Sequence, residues 1–213
     1  MALNTFEIRK CDSCGLRYPL PVMENNANNS RCPACMGTTC LILSQKLIPE
    51  SSHHLPSTSH STQRRSVLLD NIRSAWNVGS ILRSADGFGY THAYMCGITP
   101  TPENEAVRKT SLGAENSVSW AYHKDAVDLV EKLKSQNWRI AALEESEHSI
   151  QLMHAQKPKT EKNTLLIVGN ETTGVDPHLL DLSDAIYHIP MYGKKKSFNV
   201  ATAFSIAAYA LMD

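Results

Sequence analysis

Cysteine is the residue type most visibly arranged for chemistry. Cys11-Asp-Ser-Cys14 and Cys32-Pro-Ala-Cys35 are two C-x2-C pairs with 17 residues between them. Each such turn presents two sulfurs to one ion, and two turns complete a tetrahedron. The spacing therefore points to a structural zinc site with Cys11, Cys14, Cys32 and Cys35 as ligands. Four ligands close the shell and leave no open position for catalysis at the metal. Gly15 and Gly37, which follow the pairs, suit tight knuckle turns. A redox dithiol and idle buried thiols are the other readings, and neither accounts for two matched pairs. Cys40 and Cys96 have no partner at metal spacing and read as ordinary apolar residues. Arg9, Lys10, Arg17 and Arg31 lie near the pairs and suit either phosphate contacts or a solvated face.

Three further segments set polar side chains beside glycines. In Asp70–Gly89, the residues Val78, Ile81, Leu82, Ala85 and Phe88 form an apolar stripe at helical spacing, while Gly79, Arg83 and Asp86 fall on another face. Glycine inside a helix costs about 1 kcal/mol relative to alanine, so something should approach closely near Gly79. Arg83 is a candidate anion contact or one half of a surface pair with Asp86. In the second segment an apolar run ends in Gly169-Asn-Glu171-Thr-Thr-Gly174. Glu171 then stands where ligands bind open α/β sheets, beyond a strand's carboxyl end. Its other reading is a cap for the helix that Asp176-Pro177 begins. The third segment is Ile189-Pro-Met191-Tyr-Gly193-Lys-Lys-Lys-Ser197-Phe-Asn199. Ser197 and Asn199 have the chemistry of N-caps, and the free N–H groups of a helix start also suit an anionic or polar ligand. Lys194–Lys196 suit phosphate or a solvated tip. Dinucleotide and phosphate-loop fingerprints fail, because His92, His188 and Lys195 stand where those patterns need Gly, Gly and Ser/Thr.

These segments need a frame. Strands are expected at 66–70, 92–97, 139–143, 164–169 and 185–189, with helices at Asn77–Phe88, Lys124–Gln136 and Val200–Met212. Apolar runs alternating with amphipathic stretches indicate an α/β fold: a parallel sheet covered by helices on both faces. Composition divides the chain into a cysteine module at 1–48, a Ser/Thr/His/Pro-rich linker at 49–65 and a main domain at 66–213. At 42% hydrophobic the chain can bury a core. Lys+Arg and Asp+Glu both count 21, so any nucleic-acid role rests on local clustering rather than net charge. No apolar run nears the roughly 20 residues of a membrane span, and the N-terminus lacks a signal peptide's apolar core. A cytoplasmic protein without membrane contact is the expectation.

Taken together, Asn77-Val-Gly79-Ser-Ile-Leu-Arg83, Gly169-Asn-Glu171-Thr-Thr-Gly174 and Ile189-Pro-Met191…Ser197-Phe198-Asn199-Val200 resemble the three motifs of the SpoU/TrmH family of SPOUT methyltransferases, in the family's order. Lys109–Ala114 resembles a segment between the first two. The resemblance covers roughly residues 66–213. It implies a C-terminal trefoil knot, a homodimer, S-adenosylmethionine as cofactor, and methyl transfer to a ribose 2′-hydroxyl of rRNA or tRNA. It implies a catalytic Arg83, with Asn77, Glu171, Ser197 and Asn199 shaping the active site. Gly169, Ile189, Met191 and Phe198 would line the cofactor pocket, and Leu143, at a strand end, is placed with them. A guanidinium with a pKa above about 12 seldom gives up its proton. Arg83 is therefore expected to hold substrate phosphate and stabilise charge on the 2′-oxygen, acting across the dimer interface that the resemblance implies. Phe198 departs from the family's usual Leu but still offers an apolar wall. The cysteine module lies outside the minimal family pattern. A non-catalytic RNA-binding protein of the same fold is the alternative, and the closed cysteine shell argues against a zinc-dependent hydrolase.

Overall fold

Short apolar runs, buried on both faces at the centre of the sheet, build the frame. In the computed structural model the described residues are 5–22, 31–46, 63–155 and 162–212. Contacts divide the chain into two units, Met1–His60 and Ser61–Asp213. Of the linker expected at 49–65, residues 49–62 lie outside the described residues, and Arg65 already opens a strand of the second unit.

The first unit holds β1 (Thr5–Cys11), β2 (Arg17–Val22) and β3 (Thr39–Lys46), an antiparallel sheet in the order β2-β1-β3. None of these strands is foreseen above, because Cys, Arg and Pro interrupt their apolar pattern.

The second unit runs β4 (Arg65–Asp70), α1 (Ala75–Gly87), β5 (His92–Cys96), α2 (Glu105–Ser111), β6 (Ser119–His123), α3 (Ala126–Ser135), β7 (Arg139–Leu143), β8 (Ile150–Gln151), β9 (Thr164–Val168), α4 (Pro177–Leu182), β10 (Ala185–His188) and α5 (Val200–Ala210). The strands pair in the order β6-β5-β4-β9-β7-β10-β8, every pair parallel. The central strands are buried on both faces, which explains their unbroken apolar sequences. Val67 and Leu69 of β4 join the core beneath α1 and α5, where Ile81, Leu82 and Phe204 are fully buried. Leu68 joins the opposite core with Leu129 and Val130 of α3 and Leu179 of α4. Burying each such side chain contributes roughly 1.5–3 kcal/mol.

The five expected strands and three expected helices are present, with ends shifted by up to two residues. Missing from the expectation are β6, β8 and α2. β6 is an edge strand with Ser119 and Tyr122 exposed, β8 has two residues, and α2 is a short helix capped by Asn104, whose side chain accepts from the Ala106 N–H.

Candidate active site

Glycine decides how closely the site's elements meet. A Cβ on Gly79 would fall 1.9 Å from Thr110 Oγ1 and 2.4 Å from the Val107 carbonyl, so Gly79 lets α1 pack against α2. The close approach expected there is therefore a neighbouring helix. A Cβ on Gly169 would fall 2.2 Å from the Val175 amide nitrogen. Gly174, at φ +74, accepts a left-handed conformation and leaves room for Glu144. These two glycines close the turn after β9, with Asn170 and Gly174 exchanging backbone hydrogen bonds of 3.0 and 2.9 Å.

The loops after β7, β9 and β10 converge at the carboxyl ends of their strands, where they line a cleft of about 430 Å³. That is the size of a small-molecule pocket. Leu143, Gly169, Ile189, Met191 and Phe198 all border it, as do Glu171, Ser197 and Asn199. Its walls are apolar at Leu143, Ile189 and Phe198 and carboxylate at Glu144, Glu145 and Glu171.

Asn77 ties the three motifs together. Its Nδ2 donates to Glu171 Oε1 at 2.8 Å, and its Oδ1 accepts from Asn199 Nδ2 at 3.0 Å. Glu171 also accepts from the backbone N–H groups of Arg73 (3.0 Å) and Ser74 (3.2 Å). Burial opposes its ionisation, but the donors of Arg73, Asn77 and Ser74 outweigh it and hold the carboxyl below its usual range. Glu171 therefore braces the start of α1. Capping of α4 falls to Asp176, whose side chain accepts from the His178 N–H. Asn199 caps α5 by accepting from the Ala201 N–H at 2.9 Å. Ser197 caps no helix, and its exposed hydroxyl borders the cleft.

Arg83 does not share this cleft. It lies six residues beyond Asn77, which places it roughly 9 Å along α1 and about 120° around it. Its side chain is exposed, and it forms no ion pair with Asp86 and no hydrogen bond with any described residue.

Sequence reasoning missed Asn170, whose Oδ1 accepts from the N–H groups of Thr172 and Thr173 and whose Nδ2 donates to the Asn71 carbonyl at 2.6 Å. An Asn opening a Thr-Thr-Gly turn is itself an Asx-turn signal. It missed Asp70 as well. Both Asp70 oxygens are held, by the Asn71 side chain and the Asp176 N–H, and burial pushes the carboxyl upward.

In the first unit the two cysteine turns repeat one pattern. Cys11 N–H donates to the Leu16 carbonyl and Gly15 N–H to that of Cys11. Cys32 N–H donates to Gly37 and Met36 N–H to Cys32. The left-handed position is Gly15 in one turn and Met36, at φ 60, in the other. Gly37 is needed for space instead, because its Cβ would fall 2.7 Å from Ser13 Oγ. The four sulfurs lie within 4.8 Å of one another, with Cys11–Cys35 at 3.4 Å and Cys14–Cys32 at 3.6 Å. A tetrahedron with 2.3 Å metal–sulfur bonds has edges of roughly 3.8 Å, so the cluster fits one zinc ion. The Cys14 N–H leads the hydrogen bonds that lower Cys11 to about 6. At Cys35 the Gly37 N–H pulls down, but the neighbouring thiols push it to about 12. Four crowded thiols cannot all ionise unaided, and a divalent cation would favour all four thiolates.

The sequence pattern of the SpoU rRNA Methylase family matches residues 64–209. The chain belongs to that family. Among the SpoU relatives, it is 28% identical over 160 residues to the 23S rRNA (guanosine(2553)-2′-O)-methyltransferase of Bacillus subtilis, covering 74% of this chain and 62% of that protein. It is 30% identical over 148 residues to the tRNA (guanosine(18)-2′-O)-methyltransferase of Aquifex aeolicus, covering 67% of this chain and 66% of that one. The chain thus spans just under two thirds of the length of these relatives. Among solved structures, the TrmH/SpoU tRNA modifying enzyme of A. aeolicus superposes with a TM-score of 0.63 at 26% identity, over 70% of this chain and 74% of that one. An rRNA methyltransferase of Sinorhizobium meliloti, solved with AdoMet bound, shares the fold at a TM-score of 0.65 and 23% identity, over 72% of this chain and 58% of that one. The parallel sheet is therefore a SPOUT methyltransferase fold. No helix among the described residues is long and apolar enough to cross a membrane.

Proposed function

We propose that this SpoU-family chain transfers a methyl group from S-adenosylmethionine to a ribose 2′-hydroxyl of rRNA or tRNA. The observation that carries the reading is the hydrogen-bonded union of Asn77, Glu171 and Asn199 at the edge of a cleft walled by Gly169, Ile189 and Phe198. The names of the relatives support it, because both are RNA 2′-O-methyltransferases.

The bound donor would supply an electrophilic methyl. Apolar Leu143, Ile189 and Phe198 suit an adenine and a thioether-like stem, and the carboxylates of Glu144, Glu145 and Glu171 suit a positive centre. Met191 and the Gly169 backbone complete the wall, and Ser197 offers a hydroxyl at the mouth. A ribose hydroxyl is a weak nucleophile, so the chain must orient it and ease loss of its proton. Arg83 is the residue we assign to the substrate, holding phosphate and stabilising charge that develops on the 2′-oxygen. Because it is exposed and does not border its own cleft, it would act on the cleft of a second copy. We therefore infer a homodimer. The exposed ring of Tyr209, packed at 6.3 Å from Phe88 where α1 meets α5, offers apolar surface for it. The trefoil knot belongs to the same proposal, since the segment after β10 shares the cleft with the loops after β7 and β9 before entering α5.

Cys11, Cys14, Cys32 and Cys35 are assigned a structural zinc ion, and thiolates kept reduced fit a cytoplasmic protein. The test is a map of 2′-O-methyl positions in total RNA from cells with and without the protein. Loss of one position, restored by the wild-type chain, is expected. An unchanged map contradicts the proposal.

A further inference from the structure

Trp76 stands on α1 with 64% of its surface exposed, one residue before Asn77. The other tryptophans are not so placed: Trp120 is half-buried and Trp138 is 9% exposed. An indole left in water costs burial that a core position would have supplied. Its neighbours on the helix show what it faces. Arg83 follows it by seven residues, which puts the two side chains within about 20° of one face and roughly 10 Å apart along the axis. Ser80 lies between them on that strip. The buried residues Val78, Ile81, Leu82 and Ala85 occupy the opposite side. Arg73 is exposed just ahead of the N-cap Ser74, its guanidinium 3.5 Å from Thr172 Oγ1 on the turn after β9. The exposed strip is thus one aromatic ring between two cations.

We propose that Trp76 is a base-stacking residue, receiving a nucleobase of the substrate RNA while Arg73 and Arg83 hold the phosphates on either side. This rests on the reading of the chain as an RNA methyltransferase and adds the residue that grips the base. The pairing of ring and cations favours nucleic acid: every base has a π-face, stacking tolerates any sequence, and guanidinium groups match phosphate. Arg73, Asn77, Ser80 and Arg83 are the neighbours of Trp76 in this part of the chain, a polar and cationic setting that suits an RNA strand.

Intrinsic fluorescence tests this directly on the full chain, since Trp76 is its most exposed tryptophan. The probes are a twelve-nucleotide oligoadenylate RNA and the same ribose-phosphate backbone without bases. Oligoadenylate should quench the exposed emission component and the abasic strand should not. Trp76→Phe should bind oligoadenylate almost as the wild type does, whereas Trp76→Ala and Trp76→Leu should bind about tenfold more weakly. Binding of S-adenosylhomocysteine, titrated on the same samples, should be equal in all four proteins. Equal oligoadenylate affinity across the series, quenching by the abasic strand, or a failure of the wild type to bind oligoadenylate would overturn the stacking role. So would emission that shifts to the blue with protein concentration in the absence of RNA, since the ring would then be covered by another copy. Failure of the wild type to bind S-adenosylhomocysteine instead strikes the proposed function and leaves the stacking result standing.

Discussion

Glu171 shows how one carboxylate can serve both architecture and chemistry. It receives the Asn77 side chain and two backbone N–H groups at the start of α1 while bordering the cleft. Because its folded-state pKa lies below the ordinary value, the unfolded chain takes up the proton first as pH falls. The stabilisation is present above the unfolded pKa, near 4.3, and is lost as pH drops through the folded value. Glu171→Gln cannot titrate, so its melting temperature should fall less than the wild type's on the acid side of about pH 4.5. Thermal melts across pH 3–7 check this, and parallel acid limbs would contradict it. The motif made Glu171 conspicuous in the sequence, but its structural partner was not visible. A capping reading looks a few residues ahead to Pro177, whereas the groups Glu171 braces lie 94 to 98 positions back. The sequence left Arg83 as either an anion contact or half of a surface pair with Asp86, and among the described residues that pair does not form.

At the scale of elements, periodicity revealed those that bury a continuous stripe and hid those that do not. β4 and β9 read plainly because both faces are covered. β6 and β8 sit at the edges of the sheet, where half the side chains meet water and the apolar alternation lapses. The cysteine turns read as metal knuckles, yet the left-handed residue of the second turn is Met36 rather than the expected glycine. Such a position is strained for a side chain, by about 1–3 kcal/mol, and persists where the surroundings fix it. The zinc assignment predicts that β1, β2 and β3 depend on the ion. Cobalt-loaded protein should show tetrahedral absorption bands with one ion per chain. Chelation should abolish amide-exchange protection at Thr5–Cys11 and Thr39–Lys46 while protection at β4 and β9 persists. Retained protection of the small sheet after complete removal of metal would contradict a structural role.

On the scale of the whole molecule, strand order converts separate motifs into a site. β9 lies between β4 and β7, and β10 lies beyond β7. The loops leaving β7, β9 and β10 at one end of the sheet therefore face a common space, and the start of α1 is tied to it by the hydrogen bonds of Asn77 with Glu171 and Asn199. Periodicity alone indicated a parallel sheet and nothing of that order, because pairing between distant strands leaves no local trace. Only the resemblance of the motifs anticipated that Gly169, Ile189 and Phe198 would meet. This shared cleft is the proposed seat of the methyl donor. Hydrogen exchange of the full chain with and without S-adenosylmethionine tests it most directly. New protection should concentrate in Leu143–Glu145, Gly169–Gly174 and Ile189–Asn199. Unchanged exchange at saturating donor, or protection confined to other segments, would contradict it.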